Sequence, residues 1–194
     1  APIAFTSGTN LSTAAAGSIE YDGTAFYNTG QSTERGVMPT AQLYWLNAGT
    51  AGGNDSLVRY IFSNAGGSGQ SVTLAANTSY VMEGALYFTR DAGTTSHTLQ
   101  FQFTGTANIN SITYQVAAPQ ITLPSATSAS GTQAICSTNA LTAVTGAITT
   151  SNSIGMMVRG TVITNAGGTF TPTYAASVAP GGAYTVATGS FMTF

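Results

Sequence analysis

Leu99-Gln100-Phe101-Gln102-Phe103 alternates large apolar and polar side chains without a break. Successive side chains of a strand point to opposite faces, so Leu99, Phe101 and Phe103 share one face and Gln100 and Gln102 the other. That is the pattern of a sheet with one dry and one wet side. The same period of two recurs outward in both directions. Leu43-Tyr44-Trp45-Leu46, Leu57 to Phe62, Tyr80 to Phe88, Ile109 to Val116, Met156 to Thr164, Phe170 to Ala176 and Ala183 to Phe194 all read as strands. The 3.6-residue period of a helix is nearly absent. Glycine-rich breaks at Ala51 to Asn54, Gly66 to Gly69, Gly105, Gly167-Gly168 and Pro180 to Gly182 separate these runs. Short strands punctuated in this way predict an all-β chain, an antiparallel β-sandwich of jelly-roll type.

The N-terminal part differs in character. Residues 16–29, AGSIEYDGTAFYNT, have the form strand, Asp22-Gly23 turn, strand. Asp-Gly between alternating apolar residues is a strong hairpin signal and predicts positive φ at both turn positions. Residues 1–36 carry too little apolar area for a core of their own and read as a neck or stalk before a 37–194 head. A lone two-stranded hairpin is marginal in water, so this one is expected to pack on neighbouring chains or on the head. Within the head, the polar stretch Pro124 to Thr132 reads as a surface loop joining two weakly similar halves, 37–123 and 133–194. EGALYFTRDAGT from Glu83 matches RGTVITNAGGT from Arg159, each ahead of an aromatic strand. A shared Thr/Gly-rich composition accounts for the match equally well.

Charged residues are 5% of the 194, against roughly 25% in ordinary soluble domains. There is no lysine; the basic residues are Arg35, Arg59, Arg90 and Arg159. A surface this poor in charge lacks the repulsion that keeps free monomers apart, which points to burial against copies of itself or a larger assembly. The formal net charge of −2 argues against nucleic acid, which needs clustered Lys and Arg. No apolar run approaches the roughly 18 residues of a membrane span, so no membrane insertion is expected. The first ten residues, APIAFTSGTN, lack the charged region of a secretion signal. A single cysteine, Cys136, permits neither an intramolecular disulfide nor a cysteine zinc cluster.

Chemistry-bearing residues are sparse. Glu20 and Asp22, two apart on a strand, face the same way and suit an acid–base or calcium pair; a turn aspartate beside a solvated glutamate explains them more simply. His97, the sole histidine, could partner Cys136 or a serine in nucleophilic catalysis, but Ala134-Ile135-Cys136-Ser137 is no nucleophile elbow and a free cysteine is most often a small buried hydrophobe. Hence no catalytic, cofactor or metal residues are assigned, and no enzymatic activity is expected. Glu83 and Arg159 hold equivalent places in the two similar segments, each before a glycine inside a strand. A charge within an apolar strand seeks a partner, in an interface or in each other, unless both are solvated edge positions. Trp45 and Tyr44 join them as candidate interface residues. With Tyr60, Tyr80, Tyr87 and Tyr114 they are also candidates for stacking on sugar rings, although aromatics at strand spacing more often form core or subunit contacts.

Several stretches together resemble tailed-bacteriophage virion proteins of fibre or minor structural type. These are the AGSIEYDGTAFYNT hairpin, ERGV at 34–37, LAANTSYVMEG at 74–84, TRDAGTTSHTLQFQFTGTANINSITYQV at 89–116 and RGTVITNAGGTFTPTYAASVAPGGAYTVATGSFM at 159–192. Residues 133–150 depart most from that pattern. The resemblance implies a hairpin neck before a β-rich head and a non-enzymatic virion component, either fibre head or capsid decoration. It also implies a homotrimer whose partners are its own copies and other virion proteins, with a host surface glycan as a further candidate. Such a protein is made in the bacterial cytoplasm and resides in the extracellular particle. Two alternatives stay open: a pilus-like filament subunit polymerised by donating a strand from residues 1–15, and a carbohydrate-binding or depolymerising tailspike module.

Overall fold

The computed structural model describes residues 7–23, 25–31, 34–38, 41–63, 69–118, 132–149 and 153–194. The expected loop from Pro124 to residue 131, Gly66 to Ser68 and the first six residues of the possible donor strand lie outside them. The chain forms two compact units, Ala1–Ala41 and Gln42–Phe194. Among the described residues there is no helix; every paired strand is antiparallel.

In the first unit, β1 (Ile19–Tyr21), β2 (Phe26–Gln31) and β3 (Glu34–Val37) form one sheet in that order. The hairpin is present, but its turn is not the two-residue Asp-Gly turn. Tyr21 pairs with Phe26, leaving residues 22–25 as the loop, and of the Asp-Gly dipeptide only Gly23 has positive φ, 97°. Asp22 works through its carboxylate instead: Oδ1 accepts from the Ala25 N–H at 2.9 Å and Oδ2 from the Tyr27 hydroxyl at 2.8 Å. A side-chain acceptor that mimics a backbone turn stabilises a wider loop than the dipeptide rule anticipates. Stacked Tyr21 and Phe26 rings, 4.6 Å apart, close the loop's base.

The second unit contains β4 (Leu43–Trp45), β5 (Thr50–Ala51), β6 (Arg59–Tyr60), β7 (Val72–Leu74), β8 (Ser79–Arg90), β9 (Leu99–Thr104) and β10 (Asn108–Ala118). It continues with β11 (Thr132–Cys136), β12 (Thr142–Ala143), β13 (Ile154–Ala166), β14 (Gly168–Ala176), β15 (Tyr184–Val186) and β16 (Phe191–Thr193). The longer sheet runs β11-β10-β13-β8. The other edge of β8 is shared by β15, continued by β5, and by β16, continued by β4. The second sheet runs β12-β9-β14, with β6 and β7 on the far edge of β14. From β8 onward the chain crosses between the sheets at nearly every connection, the jelly-roll habit. The expected all-β antiparallel sandwich is what forms.

The two similar segments do not build separate halves. β8 pairs with β13 and β9 with β14, so both sheets interleave strands from either side of the 124–132 stretch. Two expected strands come out differently. Of Leu57 to Phe62 only Arg59–Tyr60 pairs, while Ile61 and Phe62 bury themselves beside it. Ala183 to Phe194 breaks into β15 and β16 at a turn where Gly189 has φ 87°, which a residue with a Cβ rarely adopts. Ser190 locks that turn. Its Oγ accepts from the Tyr87 N–H at 2.9 Å and donates to the Ala187 carbonyl at 2.8 Å.

The core lies between the sheets. β9 supplies the alternation read from the sequence: Leu99, Phe101 and Phe103 are fully buried, Gln100 and Gln102 are not. Phe103 stacks on Phe170 at 4.3 Å, and Tyr114 and Phe194 meet this pair edge-on. Each such ring contributes about 1.5–3 kcal/mol by leaving water. With the inner faces so occupied, the outer face of the long sheet is what the unit presents on that side.

Candidate functional site

Across the long sheet, the strand register aligns residues into rows. One row reads Leu43, Thr193, Glu83, Arg159, Gln115, Ile135 on β4, β16, β8, β13, β10 and β11. The next row holds Trp45, Phe191, Ala85, Met157 and Ala117. Because these residues alternate with the core-facing set, they share the outer face. Much of it is apolar and bare: Leu43 is 61% exposed, Trp45 59%, Met157 51%, Ile135 77% and Val81 69%. Half of the exposed large hydrophobic residues of the described chain sit here. Monomeric soluble domains seldom leave so many large apolar side chains open to water on one sheet face.

Glu83 and Arg159 stand at the middle of this face, directly opposite each other on adjacent strands and both exposed. Among the described residues the ion pairs are Arg35 with Glu20, at 2.6 Å, and Arg59 with Asp55. Glu83 and Arg159 are side by side without closing one. Trp45 lies on the same face, stacked on Phe191 with ring centroids 6.3 Å apart. Tyr44 does not. As Trp45's neighbour it points to the other side, where its ring packs against Phe62 and Phe194, and burial raises its hydroxyl pKa. The alternation that separates the two was visible in the sequence. So were the extra members Phe191, Met157 and Ile135, but only with the strand pairing in hand do they fall into one patch.

The remaining candidates sit in structural roles. Glu20 binds Arg35, whose Nη2 also donates to the Leu11 carbonyl at 2.7 Å, while Oε1 of Glu20 accepts from the Leu11 N–H at 2.9 Å. With Asp22 committed to its loop, the two carboxylates serve separate contacts. His97 is buried at the end of the sandwich. Nδ1 donates to the Thr95 carbonyl at 2.8 Å, which leaves Nε2 to accept from the Tyr184 hydroxyl at 2.7 Å. Desolvation lowers the His97 pKa, the Thr95 carbonyl raises it in part, and the Arg90 charge lowers it again. Arg90, also buried, donates to the Pro180 carbonyl at 2.8 Å and lies near the Tyr184 ring. Burial pushes the Tyr184 hydroxyl up to about 12, with Arg90 opposing and Tyr174 adding to the shift. This cluster ties the 95 and 180 turns to the strand ends. Cys136 is buried on β11 opposite Tyr114. The tyrosines do not form one sugar platform: Tyr114 is core, Tyr60 lies on the second sheet and Tyr87 on the outer face of the first.

No family model matches the sequence, and no curated protein matches it. Among solved structures, that of the infectious bursal disease virus Gx strain is returned at 13% identity and a TM-score of 0.24. The match covers 87% of this chain and 44% of that one. A similarity this low transfers neither topology nor role.

Proposed function

We propose that the chain is a non-enzymatic structural component of a phage virion, a fibre head or capsid decoration that assembles with its own copies. The observation that carries this reading is the bare apolar outer face in a chain with 5% charged residues. Such a surface is costly to a dispersed monomer and useful to a building block. The resemblance of the hairpin and head motifs to phage virion proteins supplies the setting. It also supplies the threefold symmetry expected of a fibre and the host surface glycan as a possible contact. Mass photometry of the purified chain tests the assembly: closed particles of small, fixed copy number are expected, whereas a solitary monomer at high concentration overturns it. Open filaments would favour a pilus-like subunit instead. Immunogold labelling of intact particles tests the setting. Release of reducing ends from host polysaccharide would replace the passive role with a depolymerising one.

A further inference from the structure

We infer that the outer face of the long sheet is a contact between two copies of this chain, related by a twofold axis running along the strands between β8 and β13. This rests on the reading of the chain as a self-assembling subunit, and adds the surface and its symmetry.

Six strands, β4, β16, β8, β13, β10 and β11, carry the central row, and the β8–β13 seam has three on either side. A rotation about that seam lays the face on itself and exchanges β8 with β13, β16 with β10, and β4 with β11. Glu83 then lies over Arg159 of the partner subunit, and Arg159 over Glu83 of the partner subunit. Each charge, left without an ion pair among the described residues, gains an opposite one across the contact. The same operation sets a large residue against a small one, Phe191 over Ala117 of the partner subunit, while Ala85 is already covered within its own chain. Leu43 meets Ile135 at the margins. A face that is charge- and size-complementary to itself is what an isologous contact requires.

The size fits as well. At ~4.8 Å between strands and ~3.4 Å per residue the patch spans on the order of 600 Å² in projection, approaching the ~800 Å² per partner of a standard interface. Sheets packed face to face lie about 10 Å apart, room for one interdigitated layer of such side chains. A threefold ring would be a separate contact, because a closed ring joins two different patches of each chain.

The test uses the full chain and its sole tryptophan, Trp45, which lies on the face. Sedimentation velocity across a dilution series reads the association, and Trp45 emission reads cover of the patch. Wild type is expected to dissociate on dilution with a red shift of Trp45 along the same curve. Glu83→Arg places like charges opposite each other twice per pair and should weaken association at least about tenfold. The double exchange Glu83→Arg with Arg159→Glu should return it to within about threefold of wild type. Assembly that ignores Glu83→Arg would sink this contact while leaving self-assembly intact. A monomer at all concentrations would sink both. Blue, concentration-independent Trp45 emission from a monomer would mean that the face is covered without a second copy, which also overturns the proposal.

Discussion

At the scale of single residues, the buried polar groups act as fasteners, and their chemistry makes two of them testable. His97 is held neutral by desolvation, with its ring nitrogens engaged by Thr95 and Tyr184 and the Arg90 charge close by. Its folded pKa is below the unfolded value of 6.5, so the unfolded chain binds the extra proton first. The stability this group contributes is complete above pH 6.5 and is lost as pH falls from there through the folded pKa. One titrating group sets a ceiling of ~1.4 kcal/mol per pH unit on that decline. Urea midpoints measured from pH 8 to pH 4.5 should therefore fall faster for wild type than for His97→Gln; parallel curves would refute the assignment. Thr164 is the second case. Its hydroxyl donates to the Ala75 carbonyl at 2.6 Å and accepts from the Thr78 N–H at 3.1 Å, clamping a turn in which Asn77 has φ 52°. Thr164→Val keeps the shape but strands both backbone groups, and should cost about 1–3 kcal/mol in equilibrium unfolding. A loss under a few tenths would mean that water replaces the clamp.

At the scale of elements, the strands were far more legible than their partners. Alternation placed Leu99 to Phe103, Ile109 to Val116 and Met156 to Thr164 correctly, because burying one face imposes period two on any sequence that does it; Phe170 to Ala176 also forms its strand, but with both faces buried. Alternation says nothing about which strand lies beside which. That Glu83 stands opposite Arg159 depends on a register set by contacts 76 positions apart, and no local pattern encodes it. The Ala183 to Phe194 run misled for a related reason: its apolar residues alternate on both sides of Gly189, and the turn is marked only by that glycine. Gly84 lies inside β8, and the packing of β16 explains why it is a glycine. A Cβ there would lie 2.8 Å from the Phe191 carbonyl and 3.0 Å from Met192 Cγ, so β16 can dock on β8 only over a bare backbone. Replacing a strand glycine by alanine ordinarily stabilises by about 0.4–1 kcal/mol through the unfolded chain. Gly84→Ala should instead lower the thermal midpoint, while Met192→Ala, which empties a fully buried site under the same strand, should cost about 2–5 kcal/mol. A raised midpoint for Gly84→Ala would show that β16 sits less tightly than described.

At the scale of the molecule, the 42–194 unit is bound together by pairings that skip most of the chain. Leu43 is in register with Thr193, Tyr80 with Val162 and Leu99 with Ala176. No subset of consecutive strands completes either sheet, and both sheets bury their inner sides in one shared core. Such a unit should unfold as a whole, whatever similarity its two segments retain, and should refold on the millisecond-to-second scale or slower of non-local β-topologies. Nature has placed a probe at each margin of the long sheet. Trp45 on β4 marks one edge through its stacking on Phe191, and Cys136 on β11, 4% exposed, marks the other. In the Glu83→Arg variant, chosen to keep the chain dissociated, guanidinium titration can follow Trp45 emission and the reactivity of the Cys136 thiol in the same samples. One midpoint for both probes is the expected result, since both sheets bury their inner sides in one shared core. If the thiol becomes reactive well before Trp45 responds, the second segment opens independently, and the unit is two weakly joined halves rather than one interleaved sandwich.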